Sequence, residues 1–242
     1  PPRQPYAGQL VFTAFSGSHQ DAINKGMHAM QERESKIWEV PYLPIDPSDI
    51  GRQYEPIVRI NSQSGKGGVA YVMESMYGFH LPKGLQVDFA KVIQDISEEE
   101  GEVSPERVYD TFIEQYVDIE EPYRFVSQKL IDISDDESEY ERRAEIMIEV
   151  NGEITELIGY GNGPIDAVKN ALNSLPGHYS HLLDYSEHAL TSGSSSKAAA
   201  YVYLRAKGSA KQEYGVGIHP NITTATIKAI ISAMNRLHQA LK

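Results

Sequence analysis

The sequence of 242 residues contains no cysteine, so a disulfide framework and a thiolate nucleophile are both excluded. No apolar run approaches the ~20 residues that a membrane-spanning helix needs. Basic residues are scarce, since 22 Lys and Arg stand against 34 Asp and Glu for a net charge of -12. Nucleic-acid binding requires Lys and Arg clustered on one face, so a nucleic-acid partner is not expected.

The beginning of the sequence, PPRQPYAGQ, lacks the charged-then-apolar layout of a signal peptide. Together with the missing cysteines, this favours a reducing compartment, either the cytoplasm or the matrix of an organelle. The apolar share of 40% is enough for one large or two modest globular cores. Acidic residues concentrate in 95–121 and 132–156, where we interpret them as solvated helix faces and hairpin tips.

The stretch TAFSGSHQDAINKG, residues 13–26, combines several signals. A strand-like run at 9–15 ends in Ser-Gly-Ser, and a helical pattern with a candidate N-cap at Ser18 follows at once. Its apolar residues recur at the spacing of one helix face. His19 therefore lies at a strand-to-helix junction. It is either a proton-transfer residue held by rigid elements or a polar residue in a tight turn.

A proline-rich loop follows at residues 41–47, PYLPIDP. Three prolines in seven residues exclude helix and regular strand, so we predict an extended, pre-organised loop. Tyr42 lies on this loop. Its phenol is either a hydrogen-bond donor or acid on a rigid support, or a ring that packs under the prolines.

The segment SQSGKGG, residues 62–68, superficially resembles a phosphate-binding loop. That motif requires glycine and a hydroxyl residue at positions where this chain has Ile60 and Gly67. We therefore predict a hinge or linker at 62–68.

Residues 69–123 show helical patterns that predict a small helical subdomain. Pro82 suits the first turn of one helix, and Ser104-Pro105-Glu106 is a strong start signal for another. The residues that define their apolar faces are Phe89, Val92, Ile93 and Ile96 in the first and Val108, Phe112 and Tyr116 in the second.

Residues 124–242 carry an internal repeat of three strands and a helix. Asn151-Gly152 between two alternating runs is the strongest local hairpin signal. The repeat predicts a pseudo-twofold α+β domain that dimerises through equivalent surfaces. The predicted strands are 125–133, 143–150, 153–160, 179–185, 198–206 and 213–218, and the helices are 165–175 and 223–241.

In each half a Gly-x-Gly pair, Gly161/Gly163 or Gly215/Gly217, closely precedes the helix. The pair is either a tight turn or a place where backbone amides at a helix start receive a carboxylate. A dinucleotide site is excluded, because Ala167-Val168 supplies no third glycine and the strand order looks antiparallel. The remaining ligand class is a small amphiphile with a carboxylate and an apolar tail, such as leucine.

Six motifs in order resemble the long form of the 2-isopropylmalate synthase family: FTAFSGSHQDAINKG, VPYLPIDPSDIGR, RINSQSGKGG, GYGNGP, DYSEH and YGVG. The resemblance covers nearly the whole chain. The catalytic TIM barrel of that family, which carries its metal ligands, precedes the first motif and is absent here. The resemblance thus implies the C-terminal portion of a longer enzyme: a post-barrel subdomain at 1–61, the hinge at 62–68, the helical subdomain at 69–123 and a regulatory domain at 124–242.

The resemblance implies an acyltransferase that condenses acetyl-CoA with 3-methyl-2-oxobutanoate in leucine biosynthesis. His19 and Tyr42 match the family's catalytic histidine and tyrosine, which in a homodimer reach into the partner subunit's active site. A divalent metal, Mg, Mn or Zn, is implied for the absent barrel. We expect no cofactor or metal in this segment, because its histidines, His178 and His181 included, lack metal-site spacing. The segment alone is expected to be inactive.

The resemblance also implies feedback inhibition by leucine, bound at the interface of two regulatory domains. The loop at 192–196 is either plainly flexible or orders over the ligand. Carried over by position, the leucine-binding residues are Gly161, Asn162, Gly163, Ile165, Ala167, Leu182, Tyr185, Ala189, Ser196 and Ala198.

Two alternative functions for the chain stay open. A citramalate synthase segment would sense isoleucine, and changes at Leu182, Ala189 and Ala198 could select the other branched tail. A non-catalytic amino-acid-binding module is the second alternative, although it would have no use for His19 and Tyr42 on stiff supports.

Overall fold

A computed structural model describes residues 4, 6, 8, 11–12, 17–35, 37–52, 60, 65–133, 141–175, 179–191, 193 and 196–241, with the backbone alone at 17, 18, 20, 21, 24 and 65. The chain divides into two compact units, Pro1–Thr111 and Phe112–Lys242.

The first unit is helical in its described part. Ser104 accepts a hydrogen bond from the Arg107 amide at 3.2 Å, which caps the last of its helices as the start signal predicts. Pro82 directly precedes a helix rather than lying inside it. The helices are α1 (Gly17–Glu32), a 3-10 helix (Pro47–Ile50), α2 (Gly65–Tyr77), α3 (Lys83–Glu100) and α4 (Pro105–Tyr116), which crosses into the second unit.

Three local features differ from the predictions. Val11 and Phe12, in the run predicted as a strand at 9–15, lie in a turn, and the rest of that run lies outside the described residues. α1 begins at Gly17, so Ser18 lies within the helix rather than before it. Of the predicted hinge, 62–64 lie outside the described residues and 65–68 form the first turn of α2.

The second unit is the predicted α+β domain, with three strands and a helix in each half. The segment that leads into it from α4, residues 117–122, is called here the connecting segment. The elements are β1 (Tyr123–Asp132), β2 (Arg142–Val150), β3 (Glu153–Gly161), α5 (Pro164–Leu172), β4 (Ser180–Ala189), β5 (Ala198–Ala206), β6 (Gln212–His219) and α6 (Ile222–Ala240).

The strands form two antiparallel three-stranded sheets, β1-β2-β3 and β4-β5-β6. Asn151 and Gly152 have φ of 51° and 89°, the left-handed pair of a type I′ hairpin, as their sequence predicts. The turn fixes the register of β2 on β3, beginning with Val150 opposite Glu153.

One hydrophobic core joins both sheets and both helices. Alternate residues of β2 and β5 face it, as the period of two requires, and α5 and α6 pack against those faces. The core-facing residues of the two central strands are Ala144, Ile146 and Ile148 in β2 and Ala200, Val202 and Leu204 in β5.

Glycines in the third strand of each half let the helix lie directly on the sheet. A Cβ on Gly159 would come within 2.2 Å of the Ala171 amide nitrogen, and a Cβ on Gly215 within 2.2 Å of the Ala233 amide nitrogen. The structural repeat therefore pairs Gly159/Gly161 with Gly215/Gly217. The Gly161/Gly163 pairing read from the sequence is two residues out of register, because Gly163 is the N-cap of α5.

α6 also holds the connecting segment. The buried Asn235 side chain donates to the Ile119 and Tyr123 carbonyls at 2.6 and 2.7 Å and accepts from the Tyr123 amide at 3.0 Å. Asp118 forms an ion pair with Lys228 at 2.9 Å. These contacts tie the entrance of β1 to the middle of α6.

Candidate functional sites

The two predicted catalytic side chains lie in contact. The rings of His19, on α1, and Tyr42, on the proline-rich loop, stack with centroids 4.2 Å apart and planes inclined by 29°. Both residues are exposed, Tyr42 to 62%. An imidazole and a phenol thus lie side by side at a solvent-facing surface, where a substrate from outside this unit could reach both.

Tyr42 is placed by a turn rather than by an extended loop. The Leu43 amide donates to the Val40 carbonyl at 3.4 Å, and Tyr42 has φ of 64°. Proline at the second position of a turn and a left-handed third residue are typical of type II geometry. The prediction of an extended loop at 41–47 is wrong, because the fixed φ of proline suits this turn and the 3-10 helix at Pro47–Ile50.

A second candidate site is a cavity of about 130 Å³ in the second unit. It lies where the starts of α5 and α6 approach β4. Pockets for drug-sized ligands measure about 300–1,000 Å³, so this cavity suits only a small molecule. Its lining residues are Pro164, Ile165, Val168, Tyr185, Glu187, Ile222, Thr223, Thr226 and Ile227.

Four of the side chains that line this cavity are polar: Tyr185, Glu187, Thr223 and Thr226. The Tyr185 hydroxyl lies 3.1 Å from the Thr226 hydroxyl and contacts the Glu187 carboxylate. Burial raises the pKa of Glu187 above its usual value. The first turns of α5 and α6 line the wall, and the N-terminus of a helix favours a carboxylate. The cavity therefore combines aliphatic walls with helix N-termini that suit a carboxylate and a Glu187 side chain that suits an ammonium group.

Two of the ten predicted leucine-binding residues, Ile165 and Tyr185, line the cavity. Gly161, Asn162 and Gly163 precede the lining residue Pro164 in the chain, and Asn162 is exposed. Ala167 is buried against β3.

The other four lie along β4, its hairpin and the start of β5. Leu182 packs on the core. Ala189 pairs with Ala198, and Ser196 accepts from the Thr191 amide at 3.2 Å. None of these four lines the cavity.

Sequence reasoning missed the wall that α6 supplies. Ile222, Thr223 and Thr226 lie in the second half of the repeat, opposite the predicted first-half residues. The available signal was Asn221, whose side chain caps α6 by accepting from the Thr224 amide at 3.0 Å, because it marks a second helix start.

A larger groove of about 570 Å³ lies at the other end of α6. Glu120, Glu121, Arg124, Glu149 and His238 are among its lining residues. We give it less weight than the smaller cavity, because its acidic, polar wall suits neither the carboxylate nor the apolar tail of leucine.

The described residues contain no group of three or more His, Asp or Glu side chains arranged to hold a metal ion. His178, which the sequence analysis considered together with His181, lies outside the described residues. His188 stacks on Tyr201 with centroids 5.5 Å apart. No helix within the described ranges is long and apolar enough to cross a bilayer.

Comparison with known sequences identifies both parts of the chain. Residues 9–74 match the family described as "Alpha-isopropylmalate synthase, post-catalytic domain-like", and residues 102–238 match the "LeuA allosteric (dimerisation) domain". The chain belongs to the LeuA allosteric domain family. This confirms the resemblance drawn from the six motifs.

Relatives named 2-isopropylmalate synthase align with almost the entire chain. The protein of Clostridium acetobutylicum is 51% identical over 97% of the chain, that of Mycobacterium ulcerans 46% over 98%, and that of Rhizobium johnstonii 51% over 97%. The chain spans only 42%, 43% and 42% of the length of these relatives. It corresponds to their C-terminal portion: a post-catalytic domain followed by the regulatory LeuA domain.

Proposed function

We propose that this chain is the leucine-sensing and accessory portion of an enzyme that condenses acetyl-CoA with 3-methyl-2-oxobutanoate to give 2-isopropylmalate. The observation that carries the sensing role is the small cavity beside α5, whose wall includes the predicted residues Ile165 and Tyr185. The isobutyl group of leucine would contact Ile165, Val168 and Ile227. Its carboxylate would face the helix starts, and its ammonium group would face Glu187.

The catalytic contribution of the segment would come from His19 and Tyr42. Their stacked rings present two proton-transfer groups at one exposed point. Side chains placed in this way can complete an active site whose other residues lie outside this unit. In the proposed arrangement this is the active site of the partner subunit. The barrel that binds acetyl-CoA, the keto acid and a divalent metal lies outside this chain. The segment alone would therefore be inactive, and we assign the full enzyme to the cytoplasm or an organelle matrix.

A homodimer is the assembly we propose, in line with the dimerisation role in the family's description. The surface that supports it is the outer face of β3, an edge strand. Ile154, Ile158 and Tyr160 are 62%, 41% and 44% exposed there and point to the same side. An exposed apolar stripe on an edge strand favours burial against another protein surface.

A citramalate synthase segment that senses isoleucine is the second candidate within the same enzyme class. The aliphatic wall of the cavity would accept either branched tail, so it does not distinguish isoleucine from leucine. The relatives' shared name supports the leucine enzyme. A free-standing amino-acid-binding module is disfavoured by the contact between His19 and Tyr42, which a sensor does not need.

The test is an inhibition assay on an enzyme that carries this segment behind a catalytic barrel, with release of the CoA thiol as the readout. Leucine should inhibit it, and Ile222→Trp, which fills the cavity mouth, should raise the inhibitory leucine concentration at least tenfold. The matched control is Leu241→Trp, because Leu241 is 53% exposed at the other end of α6, as Ile222 is 45% exposed at its start. Equal leucine sensitivity in both variants would refute the cavity as the sensor.

A further inference from the structure

We propose that Trp38 is a positioning residue for the His19–Tyr42 pair: its indole N–H holds the turn that sets the Tyr42 ring against the His19 ring. This inference rests on the catalytic roles proposed above for the two residues. The geometric part, that the indole bond maintains the stack, can be tested without any assay of catalysis.

The bond itself closes a short loop. Trp38 Nε1 donates to the Leu43 carbonyl oxygen at 2.9 Å, within the normal range for an N–H···O bond. Residues 38–43 lie inside the loop that it closes, Tyr42 among them. The backbone bond of the turn, from the Leu43 amide to the Val40 carbonyl, is longer at 3.4 Å. The indole bond is therefore the shorter of these two bonds.

Tyr42 needs such support because of its backbone conformation. Its φ of 64° lies in the left-handed region, which is costly for a residue with a bulky side chain. Such a conformation persists only where surrounding contacts hold it, and it clusters at functional sites. Without the indole bond, the loop would relax towards an ordinary extended or right-handed conformation, and the direction of the Tyr42 side chain would change.

The loop meets α1 at two places on one helix face. A Cβ on Gly26 would lie 2.6 Å from Pro41 Cδ, so only glycine allows the loop to come this close. Gly26 follows His19 by seven residues, which is about two helical turns, and the two positions therefore share a face. Pro41 contacts α1 at Gly26, and Tyr42 contacts it at His19.

Trp38 is anchored independently of the stack. It packs against a small cluster whose buried members include Phe12 and Ile23, which lie outside the turn, beside Val40 and Leu43 of the turn itself. The indole ring thus has a fixed place from which to hold the Leu43 carbonyl. The arrangement assigns separate tasks: Gly26 sets how closely the loop approaches, Trp38 keeps the loop closed, and His19 and Tyr42 present the chemistry.

The decisive experiment exploits the fact that Trp38 is the only tryptophan of the chain. Growth of a tryptophan auxotroph on benzothienylalanine replaces the indole N–H by sulfur and keeps the ring shape. The readout is the proton NMR shift of the His19 imidazole, which the stacked Tyr42 ring moves upfield. Tyr42→Ala gives the shift of an unstacked His19.

In the sulfur analogue, we expect the His19 signals to move at least half of the way to their positions in Tyr42→Ala. His28, which is exposed on the same helix, is the internal control and should not move. His19 signals unchanged from the natural chain would overturn the proposal, since packing alone would then hold the turn.

A measurement on the natural chain covers the case in which the analogue does not fold. The single indole N–H signal should exchange with solvent at least tenfold more slowly than that of free tryptophan. Exchange as fast as in free tryptophan would overturn the proposal, because the bond to Leu43 would not then persist in solution.

The catalytic consequence is measured in the barrel-containing enzyme. In that longer protein, Trp38→Phe, which removes the indole N–H at this position alone, should lower kcat about tenfold or more and leave the KM for acetyl-CoA unchanged, since a positioning defect affects the reacting geometry rather than substrate binding. Unchanged kcat with a displaced His19 signal would overturn the positioning role. If His19→Ala and Tyr42→Phe also leave kcat unchanged, the proposed catalytic function fails instead, and the two failures are thereby distinguished.

Discussion

Gly215 and Ala233 lie so close that β6 and α6 are in backbone contact. A Cβ on Gly215 would come within 2.2 Å of the Ala233 amide nitrogen and 2.3 Å of the Ala229 carbonyl oxygen. Gly159 bears the same relation to Ala171 in the first half of the repeat. Both halves of the repeat thus contain the same contact, in which a glycine on the third strand faces an alanine on the helix.

Gly215→Ala should destabilise the second unit. The added methyl group meets backbone atoms that cannot rotate away, so the helix must move off the sheet, at a cost of about 1–3 kcal/mol in the free energy of unfolding or more. Urea denaturation followed by circular dichroism measures this. Gly67→Ala is the control, because nothing lies within 4 Å of its Cβ position on α2 and alanine favours helix there. Equal stability of Gly215→Ala and the natural chain would contradict the close contact.

Asn235→Asp should also destabilise this unit. The change replaces a buried N–H donor by an oxygen that faces the Ile119 and Tyr123 carbonyls. Two buried acceptors lose their partner, and each such loss costs about 1–3 kcal/mol of unfolding free energy. The control is Asn170→Asp, which loses one exposed bond, to the Tyr160 carbonyl at 2.8 Å. A similar urea midpoint for both variants would show that the connecting segment is not clamped by Asn235.

Glu187 predicts a particular pH dependence of stability. Burial raises the pKa of its carboxyl group in the folded state. As the pH rises, the unfolded chain therefore loses this proton before the folded chain does. The stabilising contribution is complete below the unfolded pKa, near 4.5, and is lost as the pH rises through the folded pKa. The free energy of unfolding of the natural chain should therefore fall relative to Glu187→Gln as the pH increases through that window. A difference that is constant with pH, or that grows, would contradict this.

Ile158→Lys should weaken the proposed dimer. Ile158 is 41% exposed on the outer face of β3, and an unpaired ammonium group cannot be buried there without a large desolvation penalty. Analytical ultracentrifugation should show a dimer for the natural chain and an at least tenfold higher dissociation constant for the variant. Val87→Lys is the control, since Val87 is likewise 41% exposed but lies on α3 in the first unit. An unchanged dissociation constant would exclude the β3 face as the interface.

The sequence predicted the second unit well because its signals are local. Asn151-Gly152 defines a type I′ hairpin by backbone preference alone, and the alternation in β2 marks which residues face the core. Two things could not be obtained in this way. The register of the glycine repeat depends on which glycine faces the helix, and spacing alone does not distinguish Gly159 from Gly163. The contact of His19 with Tyr42 depends on a left-handed tyrosine, which no propensity favours.

Only the α5 side of the cavity was predicted, because the α6 side also depends on a contact between distant parts of the chain. Its first wall comes from α5, where the resemblance supplied candidate positions, but Thr226 and Ile227 lie some 60 residues further along the chain. Their approach to Ile165 is fixed by the packing of α5 and α6 in the shared core. Such a long-range contact leaves no periodic trace in either segment.

The most direct test of the account is calorimetric titration of this 242-residue chain with leucine, with isoleucine and valine as comparison ligands. We expect saturable binding of leucine near one molecule per chain, with an affinity for isoleucine and valine at least tenfold lower. A preference for isoleucine would favour the citramalate enzyme. The absence of leucine binding by a folded dimer would contradict the central claim that the regulatory domain senses leucine.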